Sequence, residues 1–205
     1  MNFFRHFAVL FAASTMLLAG GQAAAQRGGP VILFLDQQKV VSESKAGQSI
    51  DTQLRSLAEQ VSGELQQKEV ELQNESQALQ ANKDSLSKDD FAKRYNALLQ
   101  KARGLEQLKQ IRQTELQQAR AQAISDLAEA WDPIAKDLFQ KRRGTVLLER
   151  QAVLEANESQ DITDEVLKQL DRKIATVQVV KPDLQAQLAA AYQAQQQQAN
   201  QAANQ

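Results

Sequence analysis

Apolar residues in this chain are dense in a few short runs and sparse over a long middle. Val31-Ile32-Leu33-Phe34-Leu35 is one run, and Val146-Leu147-Leu148 with Ala152-Val153-Leu154 are the others. Between them, from Ala46 to Arg143, isolated leucines stand among Gln, Glu, Ser and Lys. Leu65, Leu72, Leu79 and Leu86 recur every seven residues; Leu54 and Val61 share the step, and Leu57 follows Leu54 by three. A seven-residue repeat keeps one narrow apolar seam facing a partner helix. The spacing predicts a first helical arm from Ala46 to about Ala81, roughly 50–60 Å long at 1.5 Å per residue. Gly63 falls inside the pattern and should weaken it by about 1 kcal/mol.

A turn follows at 82–90. Ser87 is a candidate N-cap, and Asp90 three residues later completes a capping box with a shorter acid. The second arm carries Phe91, Tyr95, Leu98, Ala102, Leu105, Leu108, Ile111, Leu116, Ala119, Ala123, Leu127, Ile134 and Leu138, mostly three or four residues apart. This predicts an antiparallel return along the first arm. Pro133 lacks a backbone donor, so it is expected to kink or break the helix near its root. Lys141-Arg142-Arg143-Gly144 places cations in the last turn and Gly at the stop.

The apolar runs at the two ends read as strands. Val146 to Leu148 and Ala152 to Leu154 are two of them, with Glu149-Arg150-Gln151 as a tight connection, and Val31 to Leu35 is the third, brought beside them by the closed hairpin. Asn157 to Gln160 reads as a loop. Asp161-Ile162-Thr163-Asp164-Glu165 opens a short amphipathic helix bearing Val166, Leu167, Leu170 and Ile174. So small a sheet is marginal alone, and oligomerisation is the natural remedy. The expected class is α+β, with a small β body, shared between subunits, from which a helical hairpin projects. The expected divisions are 26–45 and 144–177 for the body, 46–143 for the arm, and a Gln/Ala-rich disordered tail over 178–205.

The first 25 residues have the layout of a cleavable export signal. Arg5 and His6 precede an apolar stretch from Phe7 to Leu18, shorter than the about 20 residues a bilayer span needs, and Ala23-Ala24-Ala25 supplies a small-residue cleavage site. Composition then removes most chemistry. The chain has no cysteine, and its one histidine, His6, lies in the expected signal. The mature chain therefore lacks the usual general base, metal ligand and thiol nucleophile. No catalytic residue, metal ligand or cofactor site is expected. With 24 basic and 25 acidic residues, nothing favours nucleic-acid binding. Charge is organised locally instead. Lys83, Lys88, Lys93, Arg94, Lys101, Arg103, Lys109 and Arg112 outnumber the acids near the tip, whereas Asp51, Glu59, Glu64, Glu69, Glu71 and Glu75 make the first arm acidic. A basic tip can attract acidic chains or anionic lipid headgroups; the simpler reading is a solvated helix face with intrahelical pairs.

Three segments carry a family resemblance. They are Val31-Ile32-Leu33-Phe34-Leu35-Asp36 followed by Lys39 to Gly47; Pro133-Ile134-Ala135-Lys136 leading to Gly144-Thr145-Val146-Leu147-Leu148-Glu149; and Ala152-Val153-Leu154-Glu155-Ala156 through Asp161-Ile162-Thr163-Asp164-Glu165-Val166-Leu167-Lys168-Gln169-Leu170. Over about 31–175 the chain resembles the Skp (OmpH) family of periplasmic chaperones. The resemblance implies a jellyfish-shaped homotrimer whose tentacles enclose a cavity for unfolded outer-membrane proteins, without enzymatic activity or ATP. Strongly basic relatives set the family pattern; the sequence pI of 5.9 here departs from it. On this reading Val31, Ile32, Leu33, Phe34, Leu35, Val146, Leu147, Leu148, Val153 and Leu154 hold the oligomer. Lys83, Lys88, Phe91, Lys93, Arg94, Tyr95 and Lys101 are candidate client-capturing residues at the tip, although Phe91 and Tyr95 also suit tip packing. Gly63 and Pro133 are candidate arm hinges. The competing functional readings are a periplasmic coiled-coil adaptor for a folded partner and a lipid- or cell-wall-binding protein.

Overall fold

Two helices dominate the computed structural model, which describes residues 29–203. The expected signal over 1–25 lies outside the described residues. Helix α2 spans Lys45–Ala81 and helix α3 spans Lys88–Lys141, 37 and 54 residues. Ion pairs Glu64–Arg112, Glu69–Lys109 and Glu75–Lys101 link them in antiparallel order. The heptad positions account for the seam: Val61 and Leu79 are buried, and Leu54, Leu65, Leu72 and Leu86 are half-buried. Opposite them lie Leu105, Ala119, Ala123 and Leu127, all buried. At the turn, the Ser87 hydroxyl accepts from the Asp90 backbone N–H at 3.1 Å and donates to the Asp90 carboxylate at 2.7 Å. This is half of the expected capping box: Ser87 caps the Asp90 N–H, while the shorter Asp90 side chain bonds the Ser87 hydroxyl in place of its backbone N–H.

The hairpin is the crossover of a parallel strand pair. Strand β1 (Ile32–Leu35) pairs with β2 (Val146–Glu149) in the register Ile32 with Val146 through Leu35 with Glu149. A third strand at Ala152–Leu154 does not form. Residues 150–152 instead make a single 3-10 turn, closed by Val153 N–H to the Arg150 carbonyl at 3.3 Å. Glu149-Arg150-Gln151 offers none of the glycine or asparagine that a tight hairpin between strands requires, and the partner that β2 uses is β1. Residues 158–160 likewise form a 3-10 turn where a loop was expected.

Most of the body is helical. Helix α1 (Gln37–Glu43) is capped by Asp36, which accepts from the Lys39 N–H at 2.8 Å. Ser44 ends α1 and caps α2, its buried hydroxyl accepting from Gly47 N–H at 3.0 Å. Gly47 is obligatory at this elbow: a Cβ there would lie 1.7 Å from the Val41 carbonyl oxygen. Helix α4 (Thr163–Lys173) closes the body. The Asp161-Ile162-Thr163-Asp164 run docks it: Ile162 N–H donates to the Phe34 carbonyl at 2.9 Å, Thr163 Oγ1 accepts from Asp36 N–H at 2.9 Å, and Asp164 pairs with Lys39 at 2.8 Å. Leu33, Val40, Ile50, Leu127, Trp131, Ile162, Val166 and Leu170 meet in one core at the root of the hairpin.

Two further expectations are corrected. Helix α3 runs unbroken through Pro133 to Lys141. Trp131, Ile134, Ala135 and Leu138 on both sides of the proline are buried in the root, and this packing outweighs the one lost helix hydrogen bond. The helix ends in a Schellman motif, with Gly144 N–H to Phe139 O at 2.8 Å and Arg143 N–H to Gln140 O at 3.0 Å. Arg143, not glycine, takes the left-handed position, at φ 55°. Gly144 is needed for space, because a Cβ there would lie 2.4 Å from the Phe139 ring. The second correction concerns the tail. Instead of disorder from 178, residues 174–183 lie along the hairpin and lead into helix α5 (Leu184–Ala203).

Candidate functional surface

Over most of its length the distal arm is a ribbon of two helices; among the described residues the start of α5 reaches it, where Gln185 lines one flank. Shallow grooves follow. One is lined by Leu72, Tyr95, Leu98, Leu99, Ala102 and Leu105, with Tyr95 and Leu99 exposed. The opposite flank has another beside Ala78, Leu79, Ala97 and Leu98. Gly104 opens a third, near Leu72, Leu105 and Leu108. Phe91 and Tyr95, one helical turn apart, stack with ring centroids 6.2 Å apart and 9° between planes. Phe91 is half-buried, so the pair both packs and presents a face.

The tip cations fall into two groups. Lys101 is paired with Glu75, and Lys109 sits 2.7 Å from Glu69 and 2.9 Å from Glu106, so the acidic first arm neutralises part of the basic second arm. Lys83, Lys88, Lys93 and Arg94 stand outside the ion pairs of the described residues and are exposed. The sequence pattern suggested a basic tip against an acidic first arm; the structure pairs Lys101 and Lys109 with acids and leaves Arg103, like the four cations nearer the tip, outside the ion pairs of the described residues.

At the other end, the body leaves an apolar face open. Val146, Leu147 and Leu148 on β2 are 37–41% exposed, and Leu154 is fully exposed. Leu33, Phe34 and Leu35 on β1 are buried within the chain itself, and Val31, Ile32 and Val153 are half-buried. The ten residues expected to hold an oligomer therefore divide by burial. Those of β1 already serve the internal core, whereas β2 and Leu154 present surface in a single chain.

A cluster between these ends has no counterpart in the sequence reading. Glu115 on α3 is fully buried. Arg112 donates to both its oxygens (3.1 and 2.9 Å) and to both oxygens of Glu64 (3.0 and 2.9 Å), joining α3 to α2. Lys181 reaches Glu115 at 2.5 Å, and Leu184 N–H donates to it at 3.0 Å. Burial pushes the Glu115 carboxyl up, but the hydrogen bonds from Lys181, Arg112 and Leu184 outweigh this and hold it below the usual carboxylate range. The Arg112 hydrogen bond likewise lowers Glu64, and the same partner raises Arg112. Glu115 lies four residues before Ala119 and eight before Ala123, on the seam; that periodicity was the signal available for it. Trp131, four residues after Leu127, was recoverable in the same way. Gly63 is exposed in α2 with open space at its Cβ position.

Among the described residues no helix is long and apolar enough to cross a membrane, and no group of three or more His, Cys, Asp or Glu side chains could hold a metal ion. Comparison with known proteins places the chain. The family described as outer membrane protein (OmpH-like) matches residues 31–170. This chain belongs to the OmpH-like family. A crystal structure of a proposed outer membrane chaperone (OmpH-like) from Caulobacter crescentus CB15 is similar at 29% identity and a TM-score of 0.71, covering 75% of this chain and 91% of that one. No curated protein sequence matches. The family span takes in both strands, the hairpin and most of α4; the residues after α4, including Lys181 and α5, lie beyond it.

Proposed function

We propose that this OmpH-like chain is an ATP-independent periplasmic holdase that keeps unfolded outer-membrane proteins from aggregating before insertion. The observation that carries the reading is the form of its apolar surface. The distal arm offers shallow, open grooves along both flanks, with Tyr95 and Leu99 exposed beside half-buried leucines. Many weak contacts accept many sequences, whereas a deep pocket selects one. Family membership and the export-signal layout support a periplasmic compartment and outer-membrane-protein clients, and no catalytic group is required.

The open apolar face of the body supports an assembly. β2 and Leu154 expose apolar surface that a single chain leaves wet, and packing three bodies through that face gives a homotrimer with three arms around a cavity. Lys83, Lys88, Lys93 and Arg94 then sit at the rim and steer acidic unfolded chains, with Phe91 and Tyr95 beside them. The same cations suit anionic lipid headgroups at the membrane surface. Gly63, exposed in α2 with open space at its Cβ position, acts as a point of arm flexure. The test is dilution of a urea-unfolded outer-membrane β-barrel protein into buffer with the mature chain and no nucleotide, followed by light scattering. Suppressed scattering at near-stoichiometric amounts, with no binding to the folded barrel, supports a holdase. Binding only to a folded partner would establish the adaptor reading instead.

A further inference from the structure

Residues 174–183 form an extended strap along the hairpin. Its side chains alternate: Val177, Val179 and Lys181 are half-buried, while Thr176, Gln178 and Val180 face solvent. Val177 and Val179 pack against the root core. The backbone is held by one side chain. Gln53 Nε2 donates to the Val177 carbonyl at 2.7 Å, and Gln53 Oε1 accepts from Val179 N–H at 3.0 Å. A carbonyl and an N–H two residues apart, bonded to one amide, is the pattern that a neighbouring residue in a parallel strand provides. Gln53 thus reads backbone, not sequence. Seven residues on from Val177, Glu115 accepts a second backbone N–H, from Leu184.

We propose that this seat is a groove for extended polypeptide, and that the strap is an in-cis occupant displaced by an extended client segment with alternating apolar and polar residues. The inference rests on the holdase reading and names one of its binding sites. The occupant is argued from the strap itself. Its Thr-Val-Gln-Val stretch has the two-residue alternation of a transmembrane barrel strand, which exposed Val180 and inward Lys181 end; it is seated through backbone bonds and two valine side chains that such a strand can supply, with Lys181 adding an ion pair to Glu115. Displacement is local. Beyond Leu184, helix α5 carries no charged residue, and all its side chains through Asn200 are exposed, Leu188 and Tyr192 included. The strap's far end is therefore anchored by little besides the Glu115 cluster. Its removal leaves Arg112 and Glu64 paired with each other and opens Glu115 to water. The family span ends at 170, before the strap begins.

The test uses the full chain. Hydrogen exchange is followed at the Val179 and Leu184 amides with and without a saturating unfolded barrel protein. The groove requires exchange at both to quicken about tenfold or more when the client binds, since it competes with the docked strap. A strap that only braces the arm stays protected, and that result overturns the inference. A second arm needs no client. A fluorescently labelled peptide of residues 175–184 is titrated into the wild-type chain and into a release variant, Val177→Asp/Val179→Asp/Lys181→Glu, which leaves the seat intact. The peptide should bind the release variant about tenfold or more tightly than the wild type, because an occupied site lowers apparent affinity by the vacant fraction. Adding Gln53→Ala, or N-methylating the peptide at its Val179, should remove most of that binding. Equal binding to both chains, or binding indifferent to Gln53 and to the methyl group, refutes the groove. Peptide capture without holdase activity keeps the groove and rejects the client reading; holdase activity with an undisturbed strap does the reverse.

Discussion

Alanine at Gly47 and alanine at Gly63 should move the stability of this chain in opposite directions, although both glycines lie inside the same helix, α2. At Gly47 a Cβ would sit 1.7 Å from the Val41 carbonyl oxygen and 2.8 Å from its carbon. Both neighbours are backbone, so no side chain can rotate away; the α1–α2 elbow must open by more than an ångström. Opening it strains the packing of Val40 and Ala46, both wholly buried, at about 1–3 kcal/mol for overpacking. It also pulls Gly47 N–H from the buried Ser44 hydroxyl, a cap of about 1 kcal/mol. The sum is about 2–4 kcal/mol of destabilisation. At Gly63 the same methyl group meets nothing within 4 Å, and the change should stabilise by about 0.5–1 kcal/mol, the ordinary helix-interior difference. Urea unfolding followed by far-UV circular dichroism, at one fixed protomer concentration, measures both. A Gly47→Ala midpoint within error of wild type, or a larger loss at Gly63 than at Gly47, would refute the account of the elbow.

Burial separates two substitutions that the hydrophobic pattern treats alike: Leu147→Asp should dissociate the oligomer while leaving the chain helical, because Leu147 is exposed in one chain, whereas Leu33→Asp should unfold it, because Leu33 is in the internal core; light scattering and circular dichroism distinguish the two. Glu115 has a lowered pKa when folded, so its contribution is present above the ordinary carboxylate range and is lost as pH falls through that lowered value. It is faced by Arg112 from its own helix, by Lys181 from the strap, and across Arg112 by Glu64 of α2. Glu115→Gln should therefore flatten the acid limb of the stability–pH curve, as read by urea midpoints across the acid range. Changing Lys83, Lys88, Lys93 and Arg94 to Gln should slow capture of an acidic unfolded client in stopped-flow mixing at low salt and reduce the salt dependence, with release little changed. Lys101→Gln should do less, since Glu75 already neutralises it.

The hairpin was legible because a seven-residue apolar repeat in a polar background has few other structural solutions, and because Ser87 and Asp90 mark the turn chemically. The Asp161-Ile162-Thr163-Asp164 run was legible as a helix start, but not as the docking device it is; its partners Phe34, Asp36 and Lys39 lie more than a hundred residues away. The supposed strand at Ala152–Leu154 failed because Glu149-Arg150-Gln151 lacks the glycine or asparagine of a tight hairpin and turns as a 3-10 segment instead. Pro133 misled because a local penalty of about 3 kcal/mol is small against burial of Trp131, Ile134 and Leu138. Glu115 was passed over despite its seam spacing because a glutamate in a charged arm reads as solvated, and only the fold brings Lys181 to cover it. The strap was lost for a related reason: the Gln/Ala bias that follows it resembles disorder, while Val177 and Val179 gain their value only from Gln53 and the root.

The central claim is a shared body carrying arms that hold unfolded clients. The mass of the purified mature chain, measured in solution alone and after mixing with a urea-diluted outer-membrane barrel protein, tests it most directly. The account requires a trimer that gains the mass of a client from the unfolded barrel and nothing from the folded one. A monomer that stays a monomer, or a complex formed only with the folded barrel, contradicts it.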